Sequence, residues 1–461
     1  MSQEGHILSR KIIKSCDIRG IIDENLNSMD AFYIGRSFAS LLKEKHQHKC
    51  VVGRDGRLSS KDFSKQLIKG LTDSGIHVID IGLVPVGIVY FSLSFLDISA
   101  AVMVTASHNP AEYNGFKFIS NKQPFHGDDL IQLESICREG AFIDGQGRLE
   151  TQDVRAAYVS SLHALLDKTE HSGLKVVWDP GNGAVFSVIT PFTEGLPGRH
   201  VLICAEVDGR FPHHHPDPSV EKNVRMLKDA VLDQGADLGL SFDGDGDRLA
   251  VVDGLGRLYY GDQLLVLLAQ KLLEKHPMAV IMSEVKASRF FVDEIERLGG
   301  RALLWKVGHT NQKEKMQEMG ILLAGETSGH FYFKENGNYD DALFTAVKVL
   351  QILYSDPDAL LNLDQRIPIY YDSAEIRVKL QDKKPDMILN GIKRYLERTE
   401  SEFLDVDGIR KESSHGFWII RKSNTEPHLT VRCEDQSKEG YEESLRLIKK
   451  LLLEAGLQFN P

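Results

Sequence analysis

The chain has 461 residues, of which 42% are hydrophobic and 26% charged, the composition of an ordinary globular protein. This length predicts about three domains. The net charge at pH 7 is −11 and no block of Lys or Arg stands out, which argues against a nucleic-acid partner. An anionic substrate is not excluded, because local basic residues and not the net charge decide its binding.

The cysteines are far apart, odd in number and form no CxxC pair. This usage predicts neither a disulfide framework nor a zinc site, and it favours a reducing compartment. The N-terminus has no apolar signal core, since Ile12 and Ile13 lie between lysines, and no apolar run approaches membrane-spanning length. We therefore expect a soluble cytoplasmic protein with no membrane partner. The cysteines are Cys16, Cys50, Cys137, Cys204 and Cys433.

Residues 1–150 have the pattern of one α/β unit. Strands are predicted at 50–53 and 76–81, with a turn at 54–57 and a helix from 59 or 60 to 71 after the first of them. A short apolar run, 100–104, is typical of a buried strand and ends in the polar loop Thr-Ala-Ser-His-Asn-Pro. That loop presents the hydroxyl of Ser107 beside the imidazole of His108, as a nucleophile requires. The alternative is an ordinary loop, because loops are rich in Ser, Asn and Pro.

The segment after this loop combines a turn signal with a strand signal. Asn114-Gly115 predicts a turn, and the alternation over 116–119 predicts a strand. Alternation places Lys117 on the face opposite Phe116 and Phe118. The simple interpretation of Lys117 is a solvated surface lysine.

The middle of the chain repeats the α/β pattern. Helices are predicted at 154–166, 263–273 and 340–353, strands at 174–178, 238–242 and 279–282, and a turn at 179–183. We expect a linker at 356–368 and a closing amphipathic helix at 440–455. His213, His214 and His215 suggest a metal site, but we disfavour it, because adjacent histidines lack regular ligand spacing and have no acidic or Cys partner at motif distance.

Three aspartates alternate with glycine after the strand at 238–242. Asp243, Asp245 and Asp247 repel one another, so a neutralising cation is expected. Oxygen ligands favour Mg²⁺ or Ca²⁺. An EF-hand is excluded, because Arg248 and Gly254 stand where that loop needs Gly and Glu. The alternative is a solvated acidic turn.

Two further loops carry donors and acceptors for a phosphorylated polyol. Residues 421–425 offer a guanidinium, two hydroxyls and an amide, the donor set that a phosphate needs, although a capped turn would look similar. Glu326 and Ser328, between glycines, are suited to binding sugar hydroxyls. The phosphate-binding candidates are Arg421, Ser423, Asn424 and Thr425, with Arg19 as a further cation.

Two histidines complete a set of groups for phosphoryl transfer. His330 and His309 are candidate acid/base groups, although a lone histidine is more often packed in a core or exposed on a surface. A hydroxyl nucleophile, a divalent cation, a phosphate clamp and a polyol clamp together predict phosphoryl transfer on a sugar phosphate.

Four motifs, at 105–110, 243–248, 325–330 and 421–427, stand in the order and at the spacing of the α-D-phosphohexomutase family. The chain resembles this family over its whole length, and most resembles the bacterial phosphomannomutase/phosphoglucomutase enzymes. The resemblance implies an α/β fold with four domains around a central cleft. Three are related mixed α/β domains and the last is a TATA-binding-protein-like α+β domain. The expected limits are 1–150 with the phosphoserine loop, 151–253 with the metal loop, 254–365 with the sugar loop and 366–461 with the phosphate loop.

The resemblance also implies roles for the candidate residues. Ser107 would be a phosphoserine that completes the magnesium shell of the three aspartates. Glu326 and Ser328 would bind the sugar, and Arg19 would lie near the transferred phosphate. Lys117 and His330 would be the acid/base groups. The residues lining the site would be His108, Arg248, Lys286 and His309. The residues holding the second phosphate would be Arg421, Ser423, Asn424 and Thr425.

The implied reaction converts hexose 1-phosphate, of mannose or glucose, into hexose 6-phosphate in two phosphoryl transfers. The phosphoserine donates to the substrate, and the resulting hexose 1,6-bisphosphate turns around and returns its other phosphate. Mg²⁺ and glucose or mannose 1,6-bisphosphate are the expected cofactors, hexose phosphates the only expected partners, and a monomer the expected state.

One departure and three alternatives remain open. Cys16 stands where related enzymes often have Tyr, which puts the sugar preference in question. A phosphoglucosamine mutase more often has Gln at the position of Thr327. A metal-dependent phosphatase would use water as acceptor and would not need two substrate clamps. A non-catalytic sugar-phosphate sensor would be expected to have lost Ser107 or an aspartate.

Overall fold

The structure is a computed structural model that describes residues 4–166, 173–373, 375–381, 383–423 and 428–459. Its chain divides into two units. The first comprises Met1–Gly261 and Ser328–Asp358, and the second comprises Asp262–Thr327 and Ala359–Pro461. Each unit is described by itself below.

The first sheet of the first unit is mixed, in the order β1-β5-β4-β2-β3-β7, with β6 beside β5. Its strands are β1 (Ile18–Ile21), β2 (Lys49–Arg54), β3 (His77–Leu83), β4 (Ala101–Val104), β5 (Tyr113–Ser120), β6 (Gln123–Phe125) and β7 (Leu149–Thr151). Its helices are α1 (Ser28–Glu44), α2 (Ser60–Asp73), α3 (Val86–Phe95) and α4 (Asp128–Glu139). Strands β2, β3, β4 and β7 run parallel, while β4 pairs antiparallel with β5.

The local sequence accounts for these elements. All four residues of β4 are buried, as expected for a strand covered on both faces by helices. Asn27 begins α1 with a capping box, because its side chain accepts from the amide of Asp30 and the Asp30 carboxylate accepts from the amide of Asn27. The rings of Phe38, Phe118 and Phe125 pack against one another in the core beneath the sheet.

The predicted turn at Asn114-Gly115 is wrong, because both residues lie inside β5. The Asn114 amide donates to the hydroxyls of Ser59 and Ser60, so the polar side chain is satisfied inside the fold. A Cβ at Gly115 would lie 2.1 Å from the main-chain oxygen of Ile18 on the paired strand β1. The glycine therefore allows close approach of two strands and does not serve a turn.

The second sheet has the order β12-β11-β10-β8-β9, with β8, β9 and β10 parallel. Its strands are β8 (Lys175–Asp179), β9 (Arg199–Leu202), β10 (Leu238–Phe242), β11 (Leu249–Asp253) and β12 (Leu258–Tyr259). The helices of this segment are α5 (Arg155–His163), α6 (Phe186–Glu194) and α7 (Arg225–Gln234). Asp243 follows the carboxyl end of β10, the edge of a parallel sheet where α/β proteins usually bind ligands.

The second unit starts with a parallel sheet in which β13 lies between β14 and β15. Its elements are α8 (Gly261–Lys275), β13 (Val280–Glu284), α9 (Arg289–Arg297), β14 (Arg301–Trp305), α10 (His309–Met319) and β15 (Leu323–Gly325). The chain then returns to the first unit with β16 (Phe331–Phe333) and α11 (Ala342–Ser355).

The rest of the second unit is an antiparallel sheet packed on two helices through a core of its own. The elements are α12 (Ala359–Asp364), β17 (Tyr371–Asp372), β18 (Ile376–Lys379), α13 (Pro385–Arg398), β19 (Ile409–Glu412), β20 (Gly416–Lys422), β21 (His428–Asp435) and α14 (Lys438–Glu454). Helix α14 matches the predicted closing helix to within two residues.

The predicted linker at 356–368 is wrong, because it contains α12, whose Leu360 and Leu363 are buried. Isolated apolar residues in a polar stretch predict a helix only weakly. Here the packing of Leu360 and Leu363 into the core stabilises the helix. Among the described helices, none combines the length and apolarity needed to cross a membrane.

Asp341 makes the stability of the first unit depend on pH. Its buried carboxylate accepts from the amide of Phe344 at 3.1 Å, which caps α11, and from the hydroxyl of Tyr158 at 2.8 Å. Burial raises the pKa of Asp341 to about 6. Between its ordinary pKa and about 6, the folded chain keeps a proton that the unfolded chain has lost. The resulting stabilisation is present at low pH and is lost as pH rises through about 6.

Replacing Asp341 by Asn should remove this dependence, because an amide oxygen can accept the same two hydrogen bonds without charge. Between about pH 5 and about pH 7.5, the wild type should lose about 1 kcal/mol more unfolding free energy than Asp341→Asn. Urea denaturation of both proteins measures this, with the exposed Asp358→Asn as control. Equal pH slopes for the wild type and Asp341→Asn would contradict the assignment.

Candidate active site

The loop after β4 holds Ser107 in a strained and buried position. Ser107 has a φ of 49°, in the left-handed region that residues other than glycine rarely adopt. It is 2% exposed. The hydroxyl of Thr105 accepts from the amide of Ser107 at 2.8 Å and donates to the Asp55 carboxylate at 2.8 Å. A strained backbone that its surroundings hold in place is typical of functional sites.

A buried arginine that the sequence analysis missed fixes the same loop. The guanidinium of Arg57 donates to four main-chain carbonyls, those of Ser107 and Asn109 at 2.7 Å, Pro110 at 2.6 Å and Tyr113 at 3.0 Å. Its Nε also donates to Asp55 at 3.1 Å. The only sequence signal was Arg-Asp-Gly-Arg directly after a buried strand, which predicted a turn.

The structure brings Ser107 to the three aspartates. Its hydroxyl donates to Oδ2 of Asp243 at 2.7 Å. Oδ1 of Asp243 accepts from the amides of Gly246, Asp247 and Arg248 at 2.9–3.2 Å, so the loop turns around this carboxylate. All three aspartates are buried, and one carboxylate oxygen of each lies within 4.8 Å of one oxygen of the other two.

Lys117 supplies the charge that these aspartates need. Its ammonium donates to Asp245 at 2.7 Å and also to Asp247. The simple interpretation of Lys117 as a surface lysine is therefore wrong, since its side chain is 9% exposed. Burial acts to lower the pKa of Lys117, but the charges of Asp245 and Asp247 outweigh it and raise the pKa, so the side chain stays protonated.

The pKa values of the three aspartates are shifted in different directions. Burial, followed by the charge of Asp247, raises the pKa of both Asp243 and Asp245. Burial also acts to raise the pKa of Asp247, but neighbouring positive charge, that of Lys117 included, overcomes it and lowers the pKa. One lysine does not neutralise three carboxylates, and Oδ1 of Asp245 accepts no hydrogen bond from any described residue. An all-oxygen set of this kind fits a hard divalent cation.

Arg248 positions two imidazoles at the edge of the carboxylate cluster. Its guanidinium donates to Nε2 of His330 at 3.1 Å, contacts Nε2 of His108 at 3.4 Å and pairs with Asp217 at 3.2 Å. With both Nε2 atoms as acceptors, each neutral ring carries its proton on Nδ1. Nδ1 of His108 lies 3.2 Å from the Ser107 hydroxyl, and Nδ1 of His330 lies 3.3 Å from Asp340.

His108 is neutral at physiological pH. Burial, reinforced by the positive charge of Arg248, lowers its pKa well below the ordinary value. Its Nδ1–H is therefore a donor toward the Ser107 oxygen, while the Ser107 proton points to Asp243. Asp217 and Asp340 were not identified from the sequence, because neither stands in a motif with the residue that it orients.

Arg19 lies beside the serine loop. It donates to the side chains of Asn109 and Asp17, and β1, which carries it, pairs with β5. Burial acts to lower the pKa of Arg19, and the Asp17 carboxylate more than compensates and raises it. The half-buried Cys16 directly precedes this pair. The guanidinium of Arg19 therefore places a positive charge beside the serine loop, as expected for a residue near the transferred phosphate.

The second unit holds most of the remaining predicted residues. Lys286 lies 3.7 Å from Glu284, a buried carboxylate that the sequence analysis missed and that accepts from the amide and hydroxyl of Thr327. Burial acts to raise the pKa of Glu284, but Lys286 outweighs it and lowers the pKa. Glu326 is buried in the same loop, and His309 begins α10.

Arg421 is the penultimate residue of β20 and pairs with Asp407 at 3.0 Å, and the amide of Ser423 donates to the carbonyl of His428. Ser328 belongs to the first unit. Asn424 and Thr425, predicted to bind phosphate, lie outside the described residues.

Comparison with known proteins agrees with this arrangement. Models of phosphoglucomutase/phosphomannomutase α/β/α domains I, II and III match residues 10–143, 156–256 and 260–367, and the model of the C-terminal domain matches 375–446. A phosphomannomutase/phosphoglucomutase of Pseudomonas putida is 38% identical over 93% of each chain. The chain belongs to the phosphoglucomutase/phosphomannomutase family.

Two further relatives show the same likeness. A phosphoglucomutase of Neisseria gonorrhoeae is 35% identical over 94% of this chain and 95% of its own. The crystal structure of a phosphoglucomutase/phosphomannomutase family protein from Burkholderia thailandensis has a TM-score of 0.91 at 33% identity, covering 98% of this chain and 100% of that one. The predicted family, the architecture of three α/β domains and a C-terminal domain, and the phosphohexomutase class are confirmed.

Replacing Lys117 by Met should test the charge balance of the site. Without divalent cation, Lys117→Met leaves buried carboxylates unpaired and should lower the unfolding free energy by ~3–5 kcal/mol. Saturating Mg²⁺ should recover much of this loss, because a bound cation replaces the missing charge. Urea unfolding with a chelator and with Mg²⁺ measures both values.

The matched control is Lys61→Met, which removes an exposed lysine on α2 and should change neither value. A loss of the same size with and without Mg²⁺ would show that Lys117 and a cation do not share the neutralisation of these carboxylates.

Proposed function

We propose that this phosphohexomutase converts hexose 1-phosphate reversibly into hexose 6-phosphate, with mannose and glucose as the sugars. The observation that carries the proposal is the hydroxyl of Ser107, held in a strained loop and hydrogen-bonded to a carboxylate of the buried aspartate cluster. A serine of this kind, beside a place for a divalent cation and surrounded by Lys, Arg and His, suits phosphoryl transfer.

In the proposed cycle, Ser107 carries the phosphoryl group. In the first half, the bond between phosphorus and the Ser107 oxygen breaks while a bond to the free sugar hydroxyl forms. In the second half, the other phosphate of the resulting hexose 1,6-bisphosphate returns to Ser107. Because Arg57 and Thr105 fix the loop, the serine oxygen starts each transfer from one position, which lowers the entropic cost of reaching the transition state.

Positive charge around Ser107 stabilises the transferred group. Asp243, Asp245 and Asp247 would hold Mg²⁺, which supplies charge neutralisation and polarises the phosphoryl oxygens when it is bound. Arg19 would face the same group. The neutral His108 donates from Nδ1 toward the serine oxygen, so it orients that oxygen and does not remove its proton.

The two acid/base candidates differ in their resting states. Lys117 is protonated by its pairing with Asp245 and Asp247, so it enters the cycle as an acid. Nδ1 of His330 lies 3.3 Å from Asp340, which would stabilise the imidazolium once Nε2 has taken a proton. In the resting site Nε2 accepts from Arg248 at 3.1 Å, so Arg248 must turn away from it before it can accept the sugar proton. His330 is therefore the proposed base for the sugar hydroxyl, with Asp340 and Arg248 as its positioning residues.

The other predicted residues would hold the substrate. Glu326 would accept hydrogen bonds from sugar hydroxyls, and Ser328 would donate to them. Thr327, which stands between these two residues, donates to Glu284 and is held in place by it. The residues proposed to hold the phosphate that is not being transferred are Arg421, Ser423, Asn424 and Thr425, and those proposed to contribute further contacts are Lys286 and His309. Because either phosphate must fit this clamp in turn, binding should depend on charge and on donors.

The proposed enzyme needs an activator that phosphorylates Ser107 before the first turnover. Glucose or mannose 1,6-bisphosphate would serve to load Ser107, and hexose phosphates would be its partners, with no nucleic acid. We place the protein in the cytoplasm, which is supported by five free thiols. We propose that it acts as a monomer. The proposed domain limits are 1–150, 151–253, 254–365 and 366–461.

Phosphorus NMR tests the proposed reaction and its sugar. The protein receives Mg²⁺, a trace of glucose 1,6-bisphosphate and, in turn, the 1-phosphates of mannose, glucose and glucosamine. We expect the mannose and glucose signals to convert to 6-phosphate signals. Ser107→Ala should lose at least about 1,000-fold in rate, because no group remains to carry the phosphoryl group. Binding of the hexose phosphate should survive in that variant.

Each other outcome has a definite meaning. Inorganic phosphate as the product would identify a phosphatase, and conversion of the glucosamine phosphate alone would identify the phosphoglucosamine branch. Near-normal turnover by Ser107→Ala would disprove the nucleophile assignment.

A further inference from the structure

A second cluster of metal-ligating side chains lies in the first unit, apart from the aspartate loop. Asp179 ends β8, Cys204 follows β9 by two residues, and His214 comes from the loop that leads to α7. The side-chain ligand atoms of the three residues lie within 4.8 Å of one another. Because β8 and β9 are parallel neighbours, their carboxyl ends meet at the same edge of the sheet.

The surroundings of the cluster are ordered and nearly closed to solvent. Asp179 is fully buried, Cys204 is 8% exposed, and the side chain of His214 is 9% exposed. The Asp179 carboxylate accepts from the amide of Gly181 at 3.0 Å and from the hydroxyl of Ser241 at 3.3 Å, which fixes its orientation. Nε2 of His214 lies 2.9 Å from the same carboxylate.

The histidine is oriented as a metal ligand requires. Nδ1 of His214 donates to the main-chain carbonyl of His215 at 3.0 Å. This hydrogen bond places a proton on Nδ1 and fixes the orientation of the ring. The other nitrogen, Nε2, is thereby directed at Asp179 and Cys204. Cys204 itself has a φ of 47°, a left-handed conformation that costs free energy for a residue other than glycine.

We propose that Asp179, Cys204 and His214 form a second metal site, which takes a zinc-type transition-metal ion. A thiolate, an imidazole and a carboxylate are the donors that Zn²⁺ prefers, and three protein ligands leave a fourth position for water. This donor set differs from the all-oxygen set of the aspartate loop, so the two sites select different ions. The proposal does not depend on the proposed function.

Without a metal, His214 and Asp179 form an ion pair, and the thiol of Cys204 lies beside it. In this pair Nε2 of His214 carries a proton that it donates to the Asp179 carboxylate at 2.9 Å. A metal ion must therefore displace the Nε2 proton of His214 and the thiol proton of Cys204, both of which pass to solvent. Binding should weaken as pH falls, because protons compete for both ligands.

The cluster is connected to the active site by two short paths. Ser241 lies on β10, donates to Asp179 and precedes Asp243 by two residues. His214 precedes Asp217 by three residues, and Asp217 pairs with the Arg248 guanidinium. A bound ion would restrain the segment that positions Arg248.

Titration with Cd²⁺ tests the site, because cadmium–thiolate bonds absorb in the ultraviolet and cadmium–carboxylate bonds do not. The full-length protein is first saturated with Mg²⁺ so that the aspartate loop is occupied. We expect one equivalent of Cd²⁺ to produce the thiolate band in the wild type. Cys204→Ser should abolish the band, and His214→Gln should weaken Cd²⁺ binding by more than about tenfold.

Cys16→Ser is the matched control, since Cys16 is the most exposed of the five cysteines and lies in the bend before β1. It should leave the band unchanged. Circular dichroism checks that each variant is folded, and if Cys204→Ser is not, His214→Gln and Asp179→Asn carry the test. A wild type with no thiolate band, a band that survives in Cys204→Ser, or one that is lost in Cys16→Ser would overturn the proposal.

Zinc-dependent stability provides a second readout that does not involve activity. Zn²⁺ should raise the melting temperature of the wild type and of Cys16→Ser, but not that of Cys204→Ser, because a ligand that binds only the folded state stabilises it. Equal shifts in all three proteins would place the zinc elsewhere and overturn the assignment.

Discussion

Three carboxylates buried within five residues are the constraint on which the first unit depends. Asp243, Asp245 and Asp247 cannot all be ionised in a buried place without compensating charge, and the surrounding sequence supplies it. Lys117 reaches them from β5, and the amide groups of the loop turn toward Asp243. The same negative charge that makes the loop costly to bury makes it suited to a divalent cation, so the requirements of folding and of catalysis coincide here.

The serine loop is fixed by a second set of contacts that carry no reaction themselves. Arg57 neutralises Asp55 and donates to four main-chain carbonyls of the strained loop and the start of β5. Unsatisfied buried carbonyls would each cost about 1–3 kcal/mol, which is comparable to the strain of one left-handed residue. Rigid support of a strained serine, beside carboxylates that fit a divalent cation, is the reason that Ser107 is the residue proposed to carry the phosphoryl group.

Local patterns in the sequence predicted the residues that are proposed to act through their own chemistry, such as Ser107, the aspartates and Arg421. The buried strands were also predictable, because runs such as Ala101–Val104 are apolar throughout. Partners brought together by the fold were not predictable. Asp217 and Asp340 have no local signal, Gly115 was assigned to a turn although it allows strand contact, and His214 lacked ligand partners in sequence while the fold places Asp179 and Cys204 beside it.

The central claim is that the phosphoryl group resides on Ser107 between the two transfers. The most direct test is peptide mapping by mass spectrometry after incubation with glucose 1,6-bisphosphate and Mg²⁺. The account predicts a single phosphoryl group on the peptide that contains Ser107, and its loss to the sugar when excess hexose monophosphate is added. A phosphoryl group on another residue, or turnover with Ser107 unmodified throughout, would contradict the account.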